Sequence, residues 1–351
     1  MILDTSFRQH FINLSNSLYL TSNLPARYVF VLTNKCNLQC PFCFQSSISD
    51  KMTLDLDTWV RLVDQLPSYA QITFTGGEPL LYKYFNELFL YVTKNHNCNL
   101  ISNGLMLNES ILTTLLSQEH FKVLSISIDS ITNHVRGSSL KQWNELLKNI
   151  KTFHRIKQSL NSKTLLDIKC TILDTNSSDL FEVYNFAFDE LKCDTFAFQF
   201  LKGSDFQHSL QPMDKDAFDV NNQFKYQYWD IIKTSLLRVK NDLKKQVNRK
   251  VFLHPAIMNL NSDDSIDYLD IIQNEYNKNS IKECIFPWSS IHINFDGNVY
   301  PCLSYTWGNI KNDSLLNIIQ SEEASYFKDT LKCNGTFPAC KNCGWIKNAK
   351  L

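Results

Sequence analysis

No apolar run in this 351-residue chain approaches the roughly 18–20 residues that span a bilayer. Its first stretch, MILDTSFRQHFINLSNSLYL, interrupts every apolar patch with acidic or polar residues, so the unbroken core of an export signal is missing as well. Nor is there a surplus of charge, since 35 Lys plus Arg balance 35 Asp plus Glu. Zero net charge leaves no excess of cations to release counterions, which argues against nucleic-acid or membrane-surface binding driven by overall charge. Internal repeats and low-complexity linkers are also absent. The expectation is a cytoplasmic protein with no nucleic-acid and no membrane partner. What is present is a globular balance, 44% hydrophobic and 20% charged, at a length that gives a prior of about two domains.

Cysteine is the outlier, with eleven in a chain that shows no sign of export. Reducing compartments rarely keep disulfides, so clustered cysteines here point to metal binding or catalysis. Cys36, Cys40 and Cys43 lie within eight residues, and Cys284, Cys302, Cys333, Cys340 and Cys343 crowd the last fifth. Cys98, Cys170 and Cys193 stand alone and read as small buried hydrophobes.

From Arg27 to Leu201 strand-like runs (YVFVLTN, QITFTGG, NLISNG, VLSISIDS, LLDIKCTIL, TFAFQFL) alternate with amphipathic stretches at Leu54–Leu66, Tyr84–Thr93, Glu109–Leu116, Gln142–Ile156 and Ser178–Leu191. Six strands with a helix between each pair imply a parallel α/β sheet, and right-handed crossovers let it curl into an open, partial barrel. Reactive groups in such sheets gather at the carboxyl ends of the strands. Residues 204–282 read as a polar helical region whose basic stretch, Lys233–Lys250, is a solvated helix face. After Cys284, IHINF and NVYPC flank Asp296–Gly297, a hairpin signal.

Cys36-x3-Cys40-x2-Cys43 follows the first strand directly. Three thiolates on one loop suit a cubane iron–sulfur cluster with one iron left open, as a catalytic metal centre requires. A structural zinc site would want a fourth ligand, and no other His or Cys lies nearby in sequence.

With Phe42 before its last cysteine, this pattern resembles the signature of the radical S-adenosylmethionine (SAM) superfamily. The resemblance implies that Cys36, Cys40 and Cys43 hold a [4Fe–4S] cluster whose open iron is chelated by SAM, the source of a 5′-deoxyadenosyl radical. Gly76-Gly77-Glu78-Pro79 matches the family's GGEP element, in which the glycines permit close backbone approach and Glu78 accepts from the ammonium of SAM. Ser102-Asn103-Gly104 is similar to a TNG-like element. Ser127, Asp129 and Arg136-Gly137 resemble the S-x-D…RG pattern of the sulfatase-maturing branch. That likeness implies a Ser127 contact to the ribose or carboxylate and an Arg136 fork on the carboxylate.

Cys284, Cys302 and Cys340-x2-Cys343 form a four-thiolate set, with Gly297-x4-Cys302 closing the hairpin. This resembles the auxiliary-cluster domains called SPASM and Twitch. No cysteine follows Cys343, so the Twitch form with one auxiliary [4Fe–4S] cluster is the expectation. Cys333 is either a spare or replaces one of the four, and zinc on the same four thiolates stays open as a structural alternative.

The expected organisation is an N-terminal extension (1–26), a partial (β/α)6 TIM-like barrel (27–203), a helical connecting region (204–282) and a small hairpin-plus-helix auxiliary-cluster domain (283–351). Gln199 and Lys202, at the end of the sixth strand, are candidate substrate contacts. The first reading of the reaction is small-molecule oxidation or rearrangement, with flavodoxin or ferredoxin as electron donor and the auxiliary cluster as electron acceptor. The alternative is maturation of a ribosomally made peptide by thioether formation, carbon–carbon crosslinking or epimerisation. Against that alternative, only about 27 residues precede the first strand, too few for a winged-helix leader-binding domain. A noncatalytic iron–sulfur or zinc protein is the reading from another class, and it leaves Glu78 and Arg136 without a task.

Overall fold

The computed structural model describes residues 14–345 apart from 15, 20, 22–23, 44–51, 133, 202–213, 220–223, 256–259, 261–268, 270 and 303–304. Six parallel strands stand where the alternating runs place them: β1 (Arg27–Val31), β2 (Gln71–Thr75), β3 (Asn97–Ser102), β4 (Phe121–Ser127), β5 (Leu165–Ile172) and β6 (Thr195–Phe200). Each neighbouring pair is hydrogen-bonded, with a shift of register between Cys98 and Asn99 where β3 meets β4. The crossovers are the helices α1 (Leu56–Val63), α2 (Phe85–Val92), α3 (Glu109–Leu116), α4 (Leu140–Ser159) and α5 (Leu180–Asp189). Side-chain caps set several starts: Asp55 accepts from the Thr58 amide, Asn108 from Ile111, and Ser139 with Gln142 closes a capping box on α4.

Alternation along the strands sorts the two faces. Phe30, Phe74, Leu100, Leu124, Leu166 and Phe196 join the helices' Trp59, Phe89, Leu112, Phe153 and Tyr184 in one buried core. Several of the intervening residues on the other face hydrogen-bond across strands. Thr73 Oγ1 donates to Asn99 Oδ1 at 2.9 Å, while Ser125 and Thr195 both donate to Asp167, at 2.8 and 2.7 Å. Asp167 is also paired with Lys169 at 3.0 Å. A polar inner face under an apolar, helix-covered outer one is the section of a barrel that encloses a polar ligand.

The sheet runs further than six strands. A seventh parallel strand, β7 (Val251–His254), pairs with β6 after helix α6 (Trp229–Leu243), inside the region expected to be helical. Its run, VFLH, is four residues long and follows a basic stretch, too short for alternation to register. At the opposite edge, β8 (Ser290–Ile293) pairs in parallel with β1 and in antiparallel with β9 (Asn298–Tyr300), and β10 (Gly308–Asn309) completes the order β10-β9-β8-β1-β2-β3-β4-β5-β6-β7. The hairpin turn lies at Asp296–Gly297 as its sequence implies, with Gly297 at φ 94°. Two helices follow, α7 (Leu315–Ile319) and α8 (Glu322–Asn334). Cys98, Cys170 and Cys193 are buried. Among the described residues no helix is long and apolar enough to cross a membrane.

Candidate functional site

The cysteine loop leaves the carboxyl end of β1 and is closed at its base. Thr33 bridges Thr53, Thr53 Oγ1 donates to the Leu32 carbonyl at 2.8 Å, and Asn34 Oδ1 accepts from the Met52 amide at 3.0 Å. The end of β2 lies directly on this base: the Gly77 and Glu78 amides donate to the Thr33 and Lys35 carbonyls at 2.7 and 2.8 Å. Glycine is required here by contact. A Cβ on Gly76 would stand 2.5 Å from the Thr33 oxygen, and one on Gly77 would stand 2.2 Å from the Lys35 oxygen. The close approach expected of these glycines is therefore to the chain's own cysteine loop.

Glu78 is fully buried, and its carboxylate ties the ends of β2 and β3 together. Its Oε1 accepts from Ser102 Oγ at 2.9 Å and from the Leu80 amide at 3.2 Å, and its Oε2 accepts from the Asn103 amide at 2.9 Å. Burial pushes this carboxyl up to about 7, against the opposing pull of those donors and of Arg136. A carboxylate offers about four acceptor positions, so one remains on Oε2. Asn103 then reaches the cysteine loop, donating from Nδ2 to Asn37 Oδ1 at 2.7 Å and lying 3.8 Å from Cys36 Sγ. Ser102 also accepts from the Gly104 amide at 2.9 Å.

Cys36 is exposed, Cys43 half-buried and Cys40 buried. The Cys43 amide donates to the Cys40 carbonyl at 3.0 Å, and the three thiols are near enough for their charges to interact. Beyond β4, Arg136 donates to the Ser127 carbonyl at 2.7 Å and faces Asp129 at 3.5 Å. Its guanidinium stands 6.0 Å from the Phe42 ring centre and interacts with the Cys40 and Cys36 thiols. Asp129 is buried, and desolvation raises its carboxyl although Arg136 opposes the shift. The Thr171 amide donates to it at 2.6 Å, and Asn176 holds its backbone carbonyl at 2.8 Å. A narrow cleft of about 20 Å³ opens among Asn103, Ser127, Asp129 and Arg136. Thr171, Asn176, Thr33 and Asn34 were not singled out in the sequence; single polar residues in loops carry no spacing signal. Gln199 pairs in register with His254 on β7, and Lys202 lies outside the described residues.

Cys284, Cys340 and Cys343 gather separately. Cys284 donates its amide to the Gly335 carbonyl at 3.0 Å, and Cys343 donates to the Cys340 carbonyl at 2.9 Å. Burial, with Cys343 and Cys284 beside it, holds the Cys340 thiol well above its usual range. Cys302, just beyond β9, packs on the same core as Cys284 and Cys340, whereas Cys333 is exposed in the last turn of α8. Among the described residues no three His, Cys, Asp or Glu side chains converge on a single metal-ion position. A cubane asks for less convergence, since each thiolate meets its own iron, and both thiol sets fit it by number and softness.

The family model for the Radical SAM superfamily matches residues 30–166, and the model for SPASM, an iron–sulfur cluster-binding domain, matches residues 284–344. The chain belongs to the radical SAM superfamily and carries a SPASM domain. It is accordingly an enzyme whose cofactors are [4Fe–4S] clusters and SAM. It is 23% identical to the antilisterial bacteriocin subtilosin biosynthesis protein AlbA of Bacillus subtilis (strain 168), over 93% of this chain and 72% of that protein. It is 26% identical to a GTP 3′,8-cyclase of Clostridium perfringens (strain SM101 / Type A), over 45% of this chain and 50% of that enzyme. In fold it is similar to Streptococcus suis SuiB bound to the precursor peptide SuiA, with a TM-score of 0.65 and 16% identity, covering 97% of this chain and 75% of SuiB.

Proposed function

We propose that this radical SAM enzyme modifies a ribosomally made peptide. The observation that carries the reading is where each similarity stops. Likeness to the bacteriocin biosynthesis protein runs through 93% of the chain, connecting region and SPASM domain included. Likeness to the nucleotide-acting cyclase covers 45%. Substrate class is expected to follow the parts outside the shared radical-generating barrel, so this pattern favours peptide maturation over the small-molecule oxidation that the sequence put first.

In this reading Cys36, Cys40 and Cys43 hold the SAM-binding cluster, and Cys284, Cys302, Cys340 and Cys343 hold the auxiliary one. A cluster held at the first site would supply the one electron, taken from flavodoxin or ferredoxin, that splits the SAM sulfonium into methionine and the 5′-deoxyadenosyl radical. The chain's own residues orient the sulfonium donor. Glu78 offers the free Oε2 position to the SAM ammonium. Arg136, fixed through Ser127 and Asp129, has N–H groups left for the carboxylate. Gly76 and Gly77 hold the cysteine loop against β2 so that these groups share one strand-end surface.

Coexpression with the short open reading frames beside its gene, followed by mass spectrometry of each peptide, tests the proposal. Loss of two hydrogens, or uptake of solvent deuterium at a Cα, is the expected result. Unchanged peptides together with oxidation of a small alcohol would overturn it.

A further inference from the structure

Asn342 stands between Cys340 and Cys343, and the rest of the site gives it no task. It is 1% exposed. Among the described residues neither its Nδ2 nor its Oδ1 has a hydrogen-bond partner, although buried amides are almost always satisfied. Its backbone is left-handed, at φ 60°, a conformation that Asn tolerates better than most residues. That accounts for Asn on backbone grounds but leaves the carboxamide itself unexplained. An iron–sulfur cluster presents sulfide and thiolate sulfurs, which are acceptors only, so the group it can satisfy is the amide N–H.

We propose that Asn342 donates a hydrogen bond from Nδ2 to a sulfur of the auxiliary cluster and thereby raises its reduction potential. The inference rests on the assignment of Cys340 and Cys343 as ligands. Reduction adds negative charge to the sulfurs, so an N–H donor stabilises the reduced form more than the oxidised one, and hydrogen bonds to sulfur are among the levers that set such potentials. Asn342 is in this account a positioning and tuning residue, with no part in hydrogen abstraction.

The test uses the full chain with Cys36, Cys40 and Cys43 replaced by Ala, which isolates the C-terminal site. After anaerobic reconstitution, iron content is measured first, then the midpoint potential by an EPR-monitored redox titration. Asn342→Gly keeps the left-handed backbone and removes the amide; Asn342→Asp keeps the shape and removes the donor. Both should retain iron. The Gly variant should show about a tenfold lower ratio of reduced to oxidised cluster at a fixed potential, equivalent to about 59 mV for one electron. The Asp variant should shift at least as far in the same direction. Unchanged midpoints in iron-loaded variants would overturn the proposal. Loss of iron from both would also overturn it, leaving the side chain as a strut of the ligand loop. Iron missing already from the parent with intact Asn342 would instead strike the ligand assignment, and the inference with it.

Discussion

The two cysteine regions are linked through β1, from whose end the first hangs and with which β8 of the second pairs, yet they are built differently. The N-terminal set hangs from the carboxyl end of β1 on a loop secured at its base and by Asn103, and its first thiol, Cys36, is exposed. The C-terminal set is fastened to packed structure: Cys284 to the end of α8, Cys340 and Cys343 to each other's turn, with Cys340 strongly desolvated. Around the first set the fold gathers charged and polar groups, namely Glu78, Asn103, Ser127 and Arg136, of the kind a charged ligand needs. Around the second, the aromatic side chains Phe327 and Phe337 pack together, with Tyr305 stacked on Phe327. Three thiols with a polar cleft suit an open iron; four in a packed domain suit a closed cluster.

Removing the ligands of one site should leave the other intact. Replacing Cys36, Cys40 and Cys43 by Ala should reduce SAM cleavage to background while about four irons, one cubane's worth, stay bound, as read by product chromatography and iron analysis. The converse change, Cys340→Ala, should strip that remaining iron, whereas Cys333→Ala should keep it; iron lost on removing Cys333 would redraw the ligand set.

A smaller effect sharpens the contrast in ligand recognition. Glu78→Gln removes a charge-assisted acceptor worth about 1.5–3 kcal/mol, so SAM should bind roughly tenfold to a hundredfold more weakly with the cluster intact. Calorimetry of SAM binding checks this. Burial holds Glu78 near 7 before SAM binds, and the ammonium requires the carboxylate form. Affinity should therefore rise with pH up to about 7 and then level off. At one unit below, with about a tenth of Glu78 ionised, binding should be about tenfold weaker. The Gln variant should lose that slope.

The smallest effect concerns packing between the loop and β2. Gly77→Ala forces a Cβ to within 2.2 Å of the Lys35 oxygen, so a destabilisation of about 1–3 kcal/mol is expected. Gly335→Ala meets no atom within 4 Å and suffers only the strain of φ 76°, so its melting temperature should fall less.

Much of this was legible in the sequence because the signals are local. Period-two runs gave six strands, and the cysteine spacing, the double glycine and Glu78 all fall at strand ends, where an α/β sheet exposes its groups. What escaped was nonlocal. The pairing of β8 with β1 joins residues 27–30 to 290–293, and no periodicity within either run announces a partner so distant. β7 is too short to show alternation. Asn176, which holds the Asp129 carbonyl, acts through a contact 47 residues away along the chain. The barrel half of the sequence could not rank the two readings of the reaction, since it speaks only to radical generation, which peptide-modifying and nucleotide-acting relatives share.

SAM is expected to meet an open iron at Cys36, Cys40 and Cys43 and none at the C-terminal site. EPR of the reduced protein with and without SAM tests it most directly, comparing the Ala variant at those three cysteines with the Ala variant at Cys284, Cys302, Cys340 and Cys343. SAM should perturb the spectrum of the second variant and leave that of the first unchanged. A perturbed spectrum in the first, or none in the second, would contradict the account.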